Sequence, residues 1–361
     1  MDFRQAFDSI IRQRIAPTLI NLGIPHKLAR LVAMTLRNTS ARVLIQGKLT
    51  ESFETISGVR QGDALSTLIF NLVLHSALKE VASEASIATK SVQIFVYADD
   101  VTIISCSVQE LENTFLEMEL QTRRVGLRVN TDKTKYLANT GSGRGTRDIA
   151  IGDYRFEAVC QFRYLGVVFA SSADTGAAIR ERIKMASKCY YAHRNLLKSN
   201  LLARTVKLKI YKTLIRPVLA YGCEAWTLKN EDCQRIATFE RKVLRRIFGP
   251  IKEEDGSYRS RYNAELEALV NGETVIRFVK SQRLRWLGQA WLIRMPEDRA
   301  VKKVFQLEMF GTRRRGRPRE RWLDSVVNDL KRMNISNWRN RARDREGWQE
   351  IVAQALVHIG L

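Results

Sequence analysis

Residues 95–104 read FVYADDVTII, and no other stretch of the chain constrains its fold so tightly. Phe95, Val96 and Tyr97 before the centre, and Val101, Thr102, Ile103 and Ile104 after it, are β-branched or aromatic, the composition of two short strands. Between them stand adjacent carboxylates, Asp99 and Asp100, at what the pattern makes a two-residue hairpin tip. Neighbouring carboxylates repel, so a protein that fixes such a pair on a rigid hairpin usually neutralises it with a divalent cation. A solvated Asp-Asp turn is the competing reading, and the doublet alone leaves both open.

Four further segments stand in order around this hairpin. The chain opens MDFRQAFDSIIRQRI, with Asp2, then Phe7 and Asp8 at the start of an amphipathic helical pattern. GVRQGDALSTLIFNLVL at 58–74 supplies a Gly-bounded loop with Arg60 and Gln61, then an apolar run of helical length. GLRVNTDKTKYL at 126–137 sets Lys133 and Lys135 after a short strand, and FRYLGVVF at 162–169 reads as another hairpin strand. In this order and spacing they resemble motifs A to E of reverse transcriptases, specifically those of non-LTR retrotransposons (long interspersed elements).

The resemblance implies an α+β fold: a polymerase palm, with an antiparallel sheet and packed helices in right-hand architecture, then a helical thumb and a basic helical C-terminal region. It implies RNA-directed DNA synthesis, with an RNA template, a DNA primer or target and deoxynucleotides as partners. Asp2 and Asp99 match the carboxylates that hold two magnesium ions (or manganese), and Asp100 matches the acid beside them. Metals roughly 3.5 to 4 Å apart can activate the primer 3′-hydroxyl and stabilise the leaving pyrophosphate, so no protein nucleophile is needed. Phe7 matches the aromatic under the incoming sugar that excludes a ribose 2′-hydroxyl; an ordinary core aromatic is the alternative. Gln61 and Gly62 match the loop that meets the incoming nucleotide and templating base. Lys133 matches the general acid for pyrophosphate, a role suited to a flexible ammonium, with a solvated surface lysine as the other reading. Tyr164, Leu165 and Gly166 match the primer-grip hairpin.

The chain also departs from the family pattern. The motif A carboxylate normally ends a buried strand, yet here it is residue 2, which leaves at most one residue of that strand and predicts exposed sheet edges. The fingers that precede it in the family have no counterpart, so a fragment of a larger polyprotein or a decayed copy is expected. Ala64 and Thr67 stand where many relatives have proline.

Charge sharpens the partner. Lys and Arg number 60 against 38 Asp and Glu, a net +22 that points to a polyanion. Residues 1–140 carry 16 basic and 14 acidic groups, whereas 141–279 carry 25 and 15, and 280–361 carry 19 and 9. The excess falls after the presumed palm, on the segments expected to grip template and primer, where phosphate contacts release counterions. The five cysteines (106, 160, 189, 223 and 233) are scattered without a C-x-x-C pair and read as reduced, mostly buried thiols. With no signal peptide and no apolar run of about 18 residues, a cytoplasmic or nuclear protein is expected.

The predicted domains are a palm at 1–172, a thumb at 173–250 and a basic, Trp-rich region at 263–361. From about 174 the period becomes helical. In RTVKLKIYKTLIRPVLAYGCEAW at 204–226, Lys207, Lys209 and Lys212 alternate with an apolar stripe; they either lie along a duplex or form a solvated face. GPIKEEDGSYRSR near 250–262 reads as a polar boundary. Beyond it, the arginine run with Arg313, Arg314, Arg315 and Arg317 suits a narrow minor groove or a basic linker. Relatives often have histidine where Gln289 stands, which argues against a metal there. All six tryptophans follow the palm, and most are expected to be core anchors rather than stacking platforms.

An inactive, retroelement-derived nucleic-acid-binding protein is the alternative from another class; both readings give salt-sensitive binding, and they part at Asp2, Asp99 and Asp100. A viral RNA-dependent RNA polymerase would favour a Gly-Asp-Asp turn and a smaller sugar gate, which Ala98 and Phe7 oppose.

Overall fold

The computed structural model describes residues 1–83, 92–139, 147–172, 174–289, 293–297, 299, 301–302 and 321–360. The chain divides into two units, Met1–Ala138 with Arg144–Cys160, and Asn139–Gly143 with Gln161–Leu361. Helices and small sheets are mixed in an α+β arrangement.

The first unit begins with a helical turn, α1 (Ala6–Ser9), then α2 (Arg12–Asn21) and α3 (His26–Thr35). Two small hairpin-like pairs follow, with β1 (Ser40–Ala41) against β4 (Phe53–Glu54) and, inside them, β2 (Leu44–Ile45) against β3 (Lys48–Leu49). The long α4 (Ala64–Ser83) starts where the Asp63 carboxylate accepts the Leu65 N–H at 3.2 Å, and it buries Ile69, Phe70, Val73 and Leu74 at helical spacing. The hairpin β5 (Val92–Tyr97) and β6 (Asp100–Ser105) comes next. α5 (Val108–Arg124) follows, its N-terminus capped by the Ser107 hydroxyl, which accepts the Glu110 N–H at 3.2 Å. These elements share a core that includes Phe3, Ile10, Phe70, Val101, Met118 and Leu127. A three-stranded sheet of β7 (Lys135–Tyr136), β9 (Tyr154–Ala158) and β8 (Ile149–Ile151) packs Phe156 edge-on against Phe115 of α5, 5.1 Å between centroids.

The hairpin tip differs from the sequence reading by one residue. Tyr97 pairs with Asp100, so the two-residue loop is Ala98–Asp99 rather than Asp99–Asp100. This register sets Ile94 opposite Ile103 and Val96 opposite Val101 as cross-strand β-branched pairs. It also parts the carboxylates, Asp99 in the turn and Asp100 in the ladder. Ala98 consequently takes φ +52°, the left-handed region a side chain rarely occupies.

Residues 1–4 are more engaged than expected. The Val101 N–H donates to the Met1 carbonyl at 3.1 Å on one side. On the other, Phe3 bridges Val129, and the Asn130 N–H donates to the Asp2 carbonyl at 2.8 Å. The segment therefore lies between Val101 of β6 and residues 128–130, and it bonds β6 at Val101 alone.

The second unit starts with the hairpin β10 (Gln161–Tyr164) and β11 (Val167–Ala170), then α6 (Gly176–Ala192) and α7 (Arg194–Lys198). α8 (Arg204–Ile210) runs through a π-helical turn, Tyr211–Ile215, into α9 (Arg216–Leu219). α10 (Asn230–Phe248), the hairpin β12 (Ile251–Lys252) and β13 (Tyr258–Arg259), and α11 (Asn263–Leu269) lead to α12 (Val275–Leu284) and a second π turn, Arg285–Gln289. The polar stretch at 250–262 does not interrupt the core: Ile236 and Val243 before it and Leu266, Val275 and Val279 after it belong to one cluster. Arg259 ties the hairpin back through paired bonds to Glu265 at 3.0 and 2.7 Å.

Core membership changes along α12 instead. From Leu284 onward a separate cluster joins α13 (Trp322–Arg332), α14 (Trp338–Arg341) and α15 (Arg345–Val357) around Trp348, which is fully buried. The Trp348 indole N–H donates to the Leu284 carbonyl at 2.9 Å, and a Cβ on Gly288 would stand 2.1 Å from the same nitrogen. Trp226 and Trp338 are also buried; Trp286 and Trp322 meet edge to face, 5.1 Å apart, and Trp291 lies outside the described residues. All five cysteines are free, but Cys106 and Cys160 are exposed, contrary to the expectation of mostly buried thiols. No described helix is long and apolar enough to cross a membrane.

Candidate active site

Asp2, Asp99, Asp100 and Lys133 all belong to the first unit, and the segment 1–4 is what brings them together. Its bonds to β6 and to residues 128–130 fix Asp2 beside the hairpin tip. Asp2 also donates its backbone N–H to the Thr134 hydroxyl at 3.1 Å. The Asn130 side chain folds the next turn by accepting the Asp132 and Lys133 N–H groups at 3.2 and 3.3 Å, which carries the exposed Lys133 ammonium to 3.7 Å from Asp2 Oδ2. Burial, with the charges of Asp99 and Asp2, raises the Asp100 pKa above the ordinary carboxylate value.

Three carboxylates are thus close enough to feel one another, and Asp2 Oδ2 is buried with no hydrogen-bond partner. A buried carboxylate oxygen that makes no hydrogen bond and has only the Lys133 ammonium near it, beside further acids, is donor chemistry that suits a hard divalent cation. The side chains do not, however, converge as a finished ligand set: among the described residues no three His, Cys, Asp or Glu groups surround one point.

The 58–62 loop is laced to the segment that follows Asp2. The Gly58 N–H donates to the Ile10 carbonyl at 2.9 Å and the Val59 N–H to the Phe7 carbonyl at 2.8 Å. Gly58 has φ +76°, and a Cβ there would lie 2.6 Å from the Asp8 Cα, so the approach requires glycine. Arg60, Gln61 and Gly62 are exposed beyond this staple. Phe7 is half-buried and stacks on Phe70 of α4, with centroids 4.5 Å apart and planes 24° apart. This seats Phe7 at the margin of the core beside the loop.

Tyr164, Leu165 and Gly166 lie in the second unit, at the turn of β10 and β11. Leu165 and Gly166 both have positive φ, +46° and +76°. Arg182 of α6 donates to the Gly166 carbonyl and stacks over Tyr221, 4.3 Å from its centroid, while the Tyr221 hydroxyl donates to the Leu165 carbonyl at 3.0 Å. Neither residue was singled out from sequence.

The lysine row is corrected. Lys207 is buried, because it aligns with Tyr211, Ile215 and Leu219 on the inward face, and Lys212 is paired with Glu273, which Arg216 also meets at 2.6 Å. Of the three, Lys209 alone is exposed. Arg313, Arg314, Arg315 and Arg317 lie outside the described residues.

Sequence reading also missed Arg12, the first residue of α2. Its guanidinium donates to the Gly58 carbonyl at 2.7 Å, the Leu36 carbonyl at 2.9 Å, the Thr39 hydroxyl at 2.7 Å and the Thr55 carbonyl. Backbone acceptors leave no mark in a sequence, so no motif could have announced it.

Residues 1–169 match the family described as reverse transcriptase (RNA-dependent DNA polymerase). A retrovirus-related Pol polyprotein from the type-1 retrotransposable element R2 of Popillia japonica is 25% identical over 263 residues, covering 69% of this chain and 42% of the relative. A putative uncharacterized transposon-derived protein of Caenorhabditis elegans is 23% identical over 244 residues, covering 65% and 84%. A probable RNA-directed DNA polymerase from transposon X-element of Drosophila melanogaster is 26% identical over 269 residues, covering 69% and 28%. The chain therefore spans less than half the length of the R2 and X-element relatives.

Proposed function

Residues 1–169 belong to the reverse transcriptase family, of the kind found in non-LTR retrotransposons, and from that premise we propose that the chain acts as an RNA-directed DNA polymerase. It extends a DNA primer or target 3′-end with deoxynucleotides on an RNA template. The observation that carries the reading is the nearness of Asp2, Asp99 and Asp100: burial and the other two charges raise Asp100, and a buried Asp2 oxygen has no hydrogen bond, only the Lys133 ammonium at 3.7 Å.

In this reading Asp2 and Asp99 would hold divalent magnesium or manganese, with Asp100 beside them. When bound, the metal supplies activation of the 3′-hydroxyl and charge neutralisation at the departing pyrophosphate. Lys133, exposed and 3.7 Å from Asp2 Oδ2, keeps a proton at Nζ for that pyrophosphate. Phe7 sets the floor under the sugar, its ring braced by Phe70, and Gln61 with Gly62 meets the base pair being formed. Tyr164, Leu165 and Gly166 hold the primer, clamped by Arg182 and Tyr221. The first unit would be the palm, with the hairpin at 161–170 as its family counterpart's grip; the helices to about 250 would form the thumb, and 263–361 a basic region for nucleic acid. Work in the nucleus or cytoplasm accords with this chemistry.

That no three ligating groups surround one point among the described residues favours a second reading, an inactive nucleic-acid-binding protein. Primer extension on an RNA template with magnesium or manganese separates them, using Asp99→Ala/Asp100→Ala as the control. Metal-dependent extension that the double substitution abolishes supports the polymerase; template-primer binding without extension in either protein supports the second reading.

A further inference from the structure

We infer that Arg12 is the positioning residue of the 58–62 loop, fixing the loop's entry so that Arg60, Gln61 and Gly62 are presented to the incoming nucleotide. What the loop meets rests on the polymerase reading; what Arg12 holds rests on geometry alone.

The guanidinium collects acceptors from three separate stretches of chain. Leu36 and Thr39 follow α3, Thr55 follows β4, and Gly58 opens the loop. The Thr39 and Thr55 hydroxyls lie 2.7 Å apart and the Thr55 N–H donates to the Thr39 carbonyl at 2.8 Å, so the acceptors are themselves locked together. Arg12 is half-buried; its Nη1 meets the Leu36, Thr39 and Thr55 acceptors while its Nε meets Gly58. Only a planar multidentate donor can satisfy acceptors spread in this way; a lysine ammonium is a point charge that reaches some and abandons the rest. The Gly58 carbonyl is the link that matters for chemistry, because it lies between the two staple N–H groups of Gly58 and Val59, with Val59 alone separating it from the exposed Arg60, Gln61 and Gly62.

A scaffold residue and a positioning residue predict different outcomes for Arg12→Lys. Two readouts are needed: amide exchange across unit 1, and the deoxynucleotide dependence of primer extension. Positioning predicts that the amides of residues 55–59 exchange about tenfold faster while those of α4 at 69–74 change by less than about twofold. It also predicts that the KM for the deoxynucleotide rises roughly tenfold with kcat within about threefold. Thr39→Val removes one acceptor and leaves Arg12 in place, so it should move both readouts the same way but less, and it serves if Arg12→Lys does not fold. Unchanged exchange at 55–59 overturns the inference, as does equal acceleration throughout α4 and α5, the mark of a scaffold role. A loosened loop with an unaltered KM overturns its functional half. Failure of the unsubstituted chain to extend primers refutes the polymerase reading, while the exchange arm still decides whether Arg12 holds the loop.

Discussion

Gly58→Ala and Gly62→Ala form a matched pair that tests how the 58–62 loop is seated. Both glycines have positive φ, +76° and +86°. An L-residue in that region costs about 1–2 kcal/mol, a penalty the two substitutions share. Their surroundings differ. Nothing lies within 4 Å of a Cβ on Gly62, whereas one on Gly58 would meet the Asp8 Cα and carbonyl oxygen at 2.6 Å. Those are backbone atoms that cannot swing aside, so overpacking adds about 1–3 kcal/mol at Gly58 alone. The expected losses are about 1–2 kcal/mol for Gly62→Ala and about 2–5 kcal/mol for Gly58→Ala. Tryptophan fluorescence is blind to either change, because all six tryptophans lie at residue 226 or beyond, in the second unit. Amide exchange in α4 and α5 is the suitable assay. At about 1.36 kcal/mol per tenfold, Gly62→Ala should accelerate exchange about 5- to 30-fold and Gly58→Ala at least about 30-fold. Equal effects, or a larger one at Gly62, would refute the claim that contact with Asp8 dictates glycine at 58.

Gly288→Ala should destabilise the C-terminal helices by about 2–4 kcal/mol, from overpacking against Trp348 and loss of its bond to the Leu284 carbonyl; a urea titration followed by tryptophan fluorescence checks it, and an unchanged midpoint would contradict it. Bonds from Arg259 hold the Glu265 carboxyl down to about 2, below its ordinary value of 4.5. A depressed carboxylate stabilises the fold above the unfolded pKa and loses that contribution as pH falls through the folded one, so the window is pH 4.5 down to about 2. Arg259→Gln should flatten the decline of the urea midpoint across that window, and a slope identical to the unsubstituted chain's would remove the pair from acid unfolding.

What the sequence disclosed depended on whether chemistry was written in side chains or in geometry. Asp2, the Asp99–Asp100 pair and Lys133 are far apart in sequence, and the structure sets Lys133 3.7 Å from Asp2 in the same unit as the hairpin; a helical second half was visible in its periodicity. The hairpin register was missed by one residue because the Asp-Asp pair drew the turn to itself, while β-branched partners are available in either register and so leave no mark that separates them. Lys207 was misjudged because charge type was weighed above helical position: it falls in line with Tyr211, Ile215 and Leu219. Arg12 stayed hidden because most of its acceptors are carbonyls, which every residue possesses.

The π turn at Arg285–Gln289 bears on how this lineage can change length. A π turn closes on the fifth residue where an α turn closes on the fourth, so it contains one residue more than the helix around it needs. Losing one residue between 285 and 289 would let that turn close on the fourth residue like the helix before it, with the residues beyond kept on much the same face, because the wider turn is what absorbs the surplus. Leu287 and Gly288 stand within it, Leu287 in the buried cluster with Leu330 and Ala355 and Gly288 against the Trp348 indole. A one-residue deletion is therefore tolerable in this stretch only if it leaves a large apolar side chain and a glycine at those two places.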